Sequence, residues 1–455
     1  MIRMDFLQKL KKYEEEVEYI DVRILEEKRQ NLRLENGELT EDSISESFSF
    51  GVRVLVDGKL GFAGSTDPEL FDEVVRKAIK LARISEKKIK FPFLSNRAIV
   101  KANFKIDPFT IDEREKIKFL LDFSKRLEGK DFIKSTSLNL NFSRGTEEFY
   151  SSFGSEIKQE FIRSGFRAYC VGRINGELQY SSFSYYRNRG YEFLRGINVE
   201  KETKELSEKL LKLLKGKRLK GGRYDVVCDN KLTGVFFHEA VGHACEADLV
   251  LKGESILRNK FGKKIAISDL NLVDNPLVEE YGKYRFDHEG VKGRKKYLIK
   301  GGKLVNFLHS LETAAQMGHE PTGNGRAESP LFLPLPRMSN IVIEPGDWKK
   351  DEIIEETKIG VYAVDSRGGE VNTSTGDFVF NAKEAYLIKN GEIRECIKDF
   401  SILGNILNTL QNIVAIGRDV KHPHTGGWCG KDGQHVNVGE VAPHVKIRGV
   451  IVGSG

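Results

Sequence analysis

His238, Glu239 and His243 stand behind the apolar run Gly234-Val235-Phe236-Phe237. Histidine is the commonest neutral metal ligand. A glutamate held beside a metal-activated water is a ready general base. The familiar zinc-protease motif places its two histidines at i and i+4, on one face of a helix. Here the spacing is i, i+5. On a regular α-helix that separates the two rings by roughly 140°. Both reach one ion only if the helix is widened into a π-type turn or ends between them. Gly242 is suited to either distortion. The spacing therefore predicts a distorted helix at this site. The alternative is a hydrogen-bonded structural histidine pair with no metal.

A catalytic zinc site commonly takes three protein ligands. One candidate for the third is Cys429, in the polar, glycine-rich stretch from His422 to Gln434 and next to Trp428. Cys170 and Cys228, by contrast, sit in apolar strand-like segments. The competing candidate is Glu246, three residues past His243. Its other reading is a carboxylate that orients a ligating histidine. Cys245 adjoins the motif but is expected to point away from the His243 face.

The composition suits a globular protein with a sizeable core, 39% hydrophobic and 31% charged. By length alone, 455 residues suggest roughly three domains. A net charge of +6, spread without a long basic block, argues against nucleic-acid binding. Clusters such as Lys217-Arg218-Leu219-Lys220 read as solvated surface. Five scattered cysteines with no CxxC do not form a disulfide framework. The chain has neither a membrane-length apolar run nor an apolar leader core. A cytoplasmic, reduced setting is expected, with thiols free to bind metal.

The elements that must position these residues follow from periodicity. Residues 6–18 read as a helix. An antiparallel meander follows, turning at Asn36-Gly37 and Asp57-Gly58. Helices are expected over 68–84 and 110–129, the second with Thr110 and Glu113 as a capping box. Residues 132–194 are again strand-like, with a hairpin at Asn175-Gly176. A helix over 198–214 leads to the glycine- and lysine-rich linker 215–222. The reading is an α+β protein. Residues 1–220 form an antiparallel sheet with helices, divisible at about 1–95 and 105–220. Residues 221–455 form a β-rich, twisted or barrel-like domain carrying the distorted metal-binding helix. A hairpin is expected at Asn390-Gly391, and a single helix over 402–413.

The segment Phe237-His238-Glu239-Ala240-Val241-Gly242-His243 resembles the HExxxH signature of the TldD/PmbA metallopeptidase family, in its TldD branch. Further stretches resemble the same family in order. They are Asp21-Val22-Arg23, Gly51 to Leu55, Phe286 to Val291, Thr322 to Arg326, Pro336 to Asn340, and Gly427-Trp428-Cys429-Gly430-Lys431. His288 departs from the acidic or polar residue often found at its position.

The resemblance implies a zinc-dependent peptidase with one Zn2+ per chain, held by His238, His243 and Cys429, with Glu239 as catalytic base. It also implies small or unfolded polypeptide substrates cleaved with low sequence specificity. The active unit would be a homodimer, or a heterodimer with a metal-free PmbA-like relative, enclosing an extended chain. An oxyanion stabiliser is also needed, and Arg326, His424 and His435 are the candidates. Two other classes are weighed: a zinc amidohydrolase acting on small amides, which would use the same residues, and a non-catalytic peptide-binding subunit like the PmbA branch. The intact His238, Glu239 and His243 argue against the latter.

Overall fold

A computed structural model describes residues 5–86, 88–424 and 426–454. The first four residues of the chain lie outside it. In the N-terminal half, β1 (Tyr19–Glu35), β2 (Glu38–Val56), β3 (Lys59–Ser65), β4 (Arg97–Val100), β5 (Ile133–Ser151), β6 (Glu156–Ile174) and β7 (Glu177–Arg187) form one sheet. Its order is β3-β2-β1-β5-β6, with β4 and β7 both pairing β6. The sheet runs without a break from the strands before residue 66 to those after residue 132. The tight hairpins fall where Asn-Gly and Asp-Gly predict them. Asn36, Asp57 and Asn175 and the glycines that follow them all adopt positive φ, as two-residue turns require.

Helices α1 (Phe6–Lys11) and α2 (Phe71–Ile84) cover Ile20, Val22, Ile24, Phe50, Val52 and Val54 on one face of this sheet. Farther along, α3 (Glu113–Glu128) and α5 (Val199–Lys215), with the single turn α4 (Glu192–Arg195) between them, cover the strands β5 to β7. Strand alternation sends Asp21, Arg23 and Arg53 to the opposite face. There the C-terminal half buries them. Arg53 donates to Asp21 Oδ2 at 2.6 and 2.9 Å and to Glu289 Oε1, and Arg23 reaches the carbonyl of Phe332 at 2.5 Å. Three of the family-like stretches therefore meet at one contact between the two halves.

The C-terminal half begins with β8 (Gly222–Cys228), followed by α6 (Asn230–Phe237) and α7 (Ala247–Lys252). Then come β9 (Leu272–Asp274), β10 (Lys296–Lys300), β11 (Lys303–Leu304), β12 (Gly325–Arg326), β13 (Leu335–Pro336) and β14 (Asn340–Ile343). The last strands are β15 (Ile359–Val371), β16 (Asp377–Lys389), β17 (Glu392–Ile397), β18 (Phe400–Asn405), β19 (Ile413–Ile416), β20 (Gly427–Lys431), β21 (Gln434–Val441) and β22 (Val445–Ser454). Strands β8, β22, β18, β16 and β15 pair in a closed ring, because β15 bonds both β8 and β16. A second sheet has the order β11-β10-β9-β14-β21-β20, so β20 is its terminal strand.

Helix α6 packs between β15 of the barrel and β14 and β21 of the second sheet. It is apolar on most sides because both flanks are covered. Phe236 meets Phe378 and Phe380 of β16 edge-on, with centroids 5.2 and 5.5 Å apart. Burying a ring of this size stabilises the fold by about 1.5–3 kcal/mol. The metal motif thus follows directly on an anchored helix.

Three expected elements differ. Helix α1 stops at Lys11, before the like charges Glu14-Glu15-Glu16. Helix α3 is capped by Asp112, whose side chain accepts from the Arg114 N–H, and Thr110 ends a separate 3-10 turn. Residues 402–413 are not one helix. Strand β18 pairs with both β16 and β22 before a short helix Ile406–Gln411.

Candidate metal centre

Asp229 caps α6 by accepting from the Leu232 N–H at 2.8 Å. The helix then widens into a π-turn over His238–Gly242, and the His243 N–H bonds the His238 carbonyl, i to i−5. A single 3-10 turn, His243–Cys245, follows. The distortion expected from the spacing is present, but Gly242 serves it differently. Its backbone is ordinary right-handed helix, with φ −59° and ψ −52°. A Cβ there would lie 1.9 Å from Met338 Sδ. Gly242 is thus needed for close packing, not for unusual φ. Likewise a Cβ at Gly234 would lie 2.6 Å from the Glu440 Cβ. Glycine lets α6 lie against β21.

The two imidazoles stand almost perpendicular, with centroids 5.4 Å apart and planes at 85°. Cys429 on β20 is buried and brings Sγ to 3.2 Å from His243 Nε2. One ligand atom from each of His238, His243 and Cys429 lies within 4.8 Å of the others. No other such group of three appears among the described residues. Two nitrogens and a thiolate sulfur suit a tetrahedral zinc site that keeps one position open. Glu239 Oε2 is 3.7 Å from His243 Nε2, and its side chain is 35% exposed, the most open group here.

The charges of the cluster support each other. Burial opposes ionisation of Cys429, but the flanking His238 and His243 hold its thiol at about 4. Burial also disfavours charge on His238, yet the Cys429 thiolate, with smaller contributions from Glu239 and Glu440, raises it to about 9. His243 is raised as well, against burial, by Glu246 and Cys429. Without metal the three groups form a thiolate–imidazolium cluster.

Glu246 is fully buried, and its Oε2 lies 2.9 Å from His243 Nδ1. It is the carboxylate behind a histidine, not one of the three clustered groups. Burial works against its charge, but Lys431, His243 and Arg337 hold it at about 2. The other candidates have partners outside the cluster. Arg326 donates to the Met338 carbonyl at 2.6 Å and lies over the Tyr284 ring. The His424 ring faces Glu280 at 3.1 Å, and its carbonyl accepts from Arg187 of β7. His435 pairs with Gly430, one rung from Cys429, so it takes the opposite face of the hairpin and is 60% exposed. Among the described residues, no hydrogen bond, ion pair or ring contact joins any of these three to His238, His243 or Cys429.

Sequence reasoning missed Glu440, whose Oε1 lies 3.5 Å from His238 Nδ1. The signal is its place in β21. With Val436 and Val438 it occupies alternate, inward positions, where a carboxylate is out of pattern.

Two helix-borne histidines and a strand-borne cysteine, with an adjacent glutamate, make a donor set suited to a metal centre. Residues 221–454 match the PmbA/TldA metallopeptidase C-terminal domain, and residues 20–83 match PmbA/TldA metallopeptidase domain 1. The chain belongs to the PmbA/TldD metallopeptidase family. A metalloprotease of Methanothermobacter thermautotrophicus is 36% identical over 97% of this chain and 96% of its own. A zinc metalloprotease TldD homolog of Saccharolobus solfataricus is 35% identical over 70% of this chain and 72% of its own. A crystal structure from Thermotoga maritima shares the fold, with a TM-score of 0.82 at 24% identity over 98% of each chain. Among the described residues, no helix is long and apolar enough to cross a membrane.

Proposed function

We propose that the chain is a zinc-dependent peptidase that hydrolyses small or unfolded polypeptides, with Glu239 as general base. The observation that carries this reading is the convergence of His238, His243 and Cys429 beside the partly open Glu239. The donor set fits zinc, and the name of one relative includes it. His238, His243 and Cys429 would hold the ion. When bound, it supplies Lewis acidity to the scissile carbonyl and acidifies a water.

Glu239 takes the proton of the attacking water on its carboxylate and passes it to the leaving amine. Glu246 holds His243 by Nδ1, leaving Nε2 for the ion. The terminal position of β20 among the described residues supports an extended substrate, because a terminal strand can pair with a peptide backbone. Main-chain pairing reads no side chains, which fits low sequence specificity and favours a peptide over a small amide. The active unit in this reading is a homodimer or a heterodimer with a metal-free relative, in the cytoplasm.

Zinc content and turnover of an unstructured polypeptide test the reading together. Glu239→Gln is expected to keep one zinc per chain and lose at least about 100-fold in kcat. Wild-type turnover by a zinc-loaded Glu239→Gln protein would remove Glu239 as the base.

A further inference from the structure

We propose, building on the zinc reading above, that Lys431 is a positioning residue that fixes Cys429 opposite His243. Lys431 stands two residues after Cys429 on β20, hence on the same face of the strand. Its side chain is 7% exposed. Its ammonium reaches Glu246 Oε2 at 3.0 Å, Asp248 Oδ1 at 2.7 Å and the Pro336 carbonyl at 3.2 Å. All three of its donors are therefore engaged.

The Glu246 oxygen that Lys431 grips is the one that faces His243 Nδ1. A single carboxylate oxygen thus ties the strand bearing Cys429 to the ring of His243. Arg337 secures the same hairpin from its backbone. It donates to the carbonyls of Cys429 and of Gln434, and its Nε lies 3.9 Å from Glu246 Oε1.

The strand needs such an anchor. β20 is short and terminal, and among the described residues its ladder bonds run only to β21. Cys429 and His243 are far apart in sequence, so nothing local sets their separation. A buried ion pair is a poor device for stability alone, since an apolar side chain of similar size is often at least as stabilising. It does specify register, because the ammonium has one place where its three acceptors meet.

The test compares wild type with Lys431→Met, Lys431→Arg and Asp248→Asn. Zinc affinity is read by chelator competition, and the thiolate-to-cobalt charge-transfer band is read in the cobalt-substituted proteins. Lys431→Met is expected to bind zinc about 10- to 100-fold more weakly, with a diminished band. Lys431→Arg restores most of both. Asp248→Asn leaves Glu246 in place and weakens binding less, and it carries the comparison if Lys431→Met does not fold. Wild-type affinity and spectrum in Lys431→Met, or in Asp248→Asn if that variant must stand in, overturn the proposal. So does a loss of stability with an unchanged cobalt spectrum. A wild-type protein that binds no zinc overturns this and the peptidase reading together, whereas tight wild-type binding that the variants share overturns this one alone.

Discussion

Glu440 places Oε1 3.5 Å from Nδ1 of His238, deep between α6 and β21. The counterpart at the other histidine is the closer contact of Glu246 with His243. Glu246 meets His243 Nδ1 at hydrogen-bond distance, the arrangement that fixes a ligating imidazole's tautomer and orientation, whereas Glu440 stands beside a buried His238 Nδ1 that makes no hydrogen bond among the described residues. The two carboxylates differ in charge balance. Glu246 has Lys431 and Arg337 beside it, whereas burial raises Glu440 above the ordinary carboxylate range.

Glu440→Gln is expected to weaken zinc binding about tenfold or more while keeping the fold. Chelator competition measures the affinity, and far-UV circular dichroism checks the fold. Unchanged affinity would make Glu440 a packing residue only.

The metal-free cluster carries protons that a metal must displace. At pH 7, His238, at about 9, and the raised His243 are protonated, while Cys429, at about 4, is already ionised. Zinc binding at pH 7 is therefore expected to release about two protons, and affinity should rise with pH toward 9. Calorimetry in buffers of different ionisation enthalpy counts them. The sign reverses for metal-free stability. His238 is raised in the folded state, so its contribution is complete below 6.5 and lost as pH rises through about 9.

Gly242→Ala places a methyl carbon 1.9 Å from the present position of Met338 Sδ. Overpacking of this kind costs about 1–3 kcal/mol. The expected result is a lower denaturation midpoint with reduced zinc retention, both partly restored by Met338→Ala in the double variant. A purely conformational role for Gly242 predicts no such rescue.

Arg53 serves both Asp21 and Glu289, all three buried. Arg53→Met leaves two buried carboxylates facing each other. Breaking such a pair is expected to cost about 3–5 kcal/mol. Urea denaturation checks the magnitude.

The parts of the fold legible in the sequence were those with local causes. Asn-Gly and Asp-Gly turns marked hairpins because both residues adopt positive φ. The i, i+5 spacing predicts a helix either widened or ended between the two histidines, and the widened form is the one present. What stayed hidden has non-local causes. Ile402 lies in a strand because β16 and β22 flank it, and a short apolar run cannot show that by periodicity. The reason for Gly242 lies in Met338, almost a hundred positions away. The contact of His424 with Glu280 and the outward face that His435 takes in the hairpin also depend on distant partners and strand pairing.

The most direct measurement of the central claim is cobalt substitution of the wild-type protein beside Cys429→Ser. Wild type should take up about one cobalt per chain, in a tetrahedral visible spectrum with an intense thiolate-to-cobalt band. Cys429→Ser should lose that band and most of its metal affinity. A band that persists in Cys429→Ser, or metal bound without any thiolate signature in wild type, would contradict a centre formed by His238, His243 and Cys429.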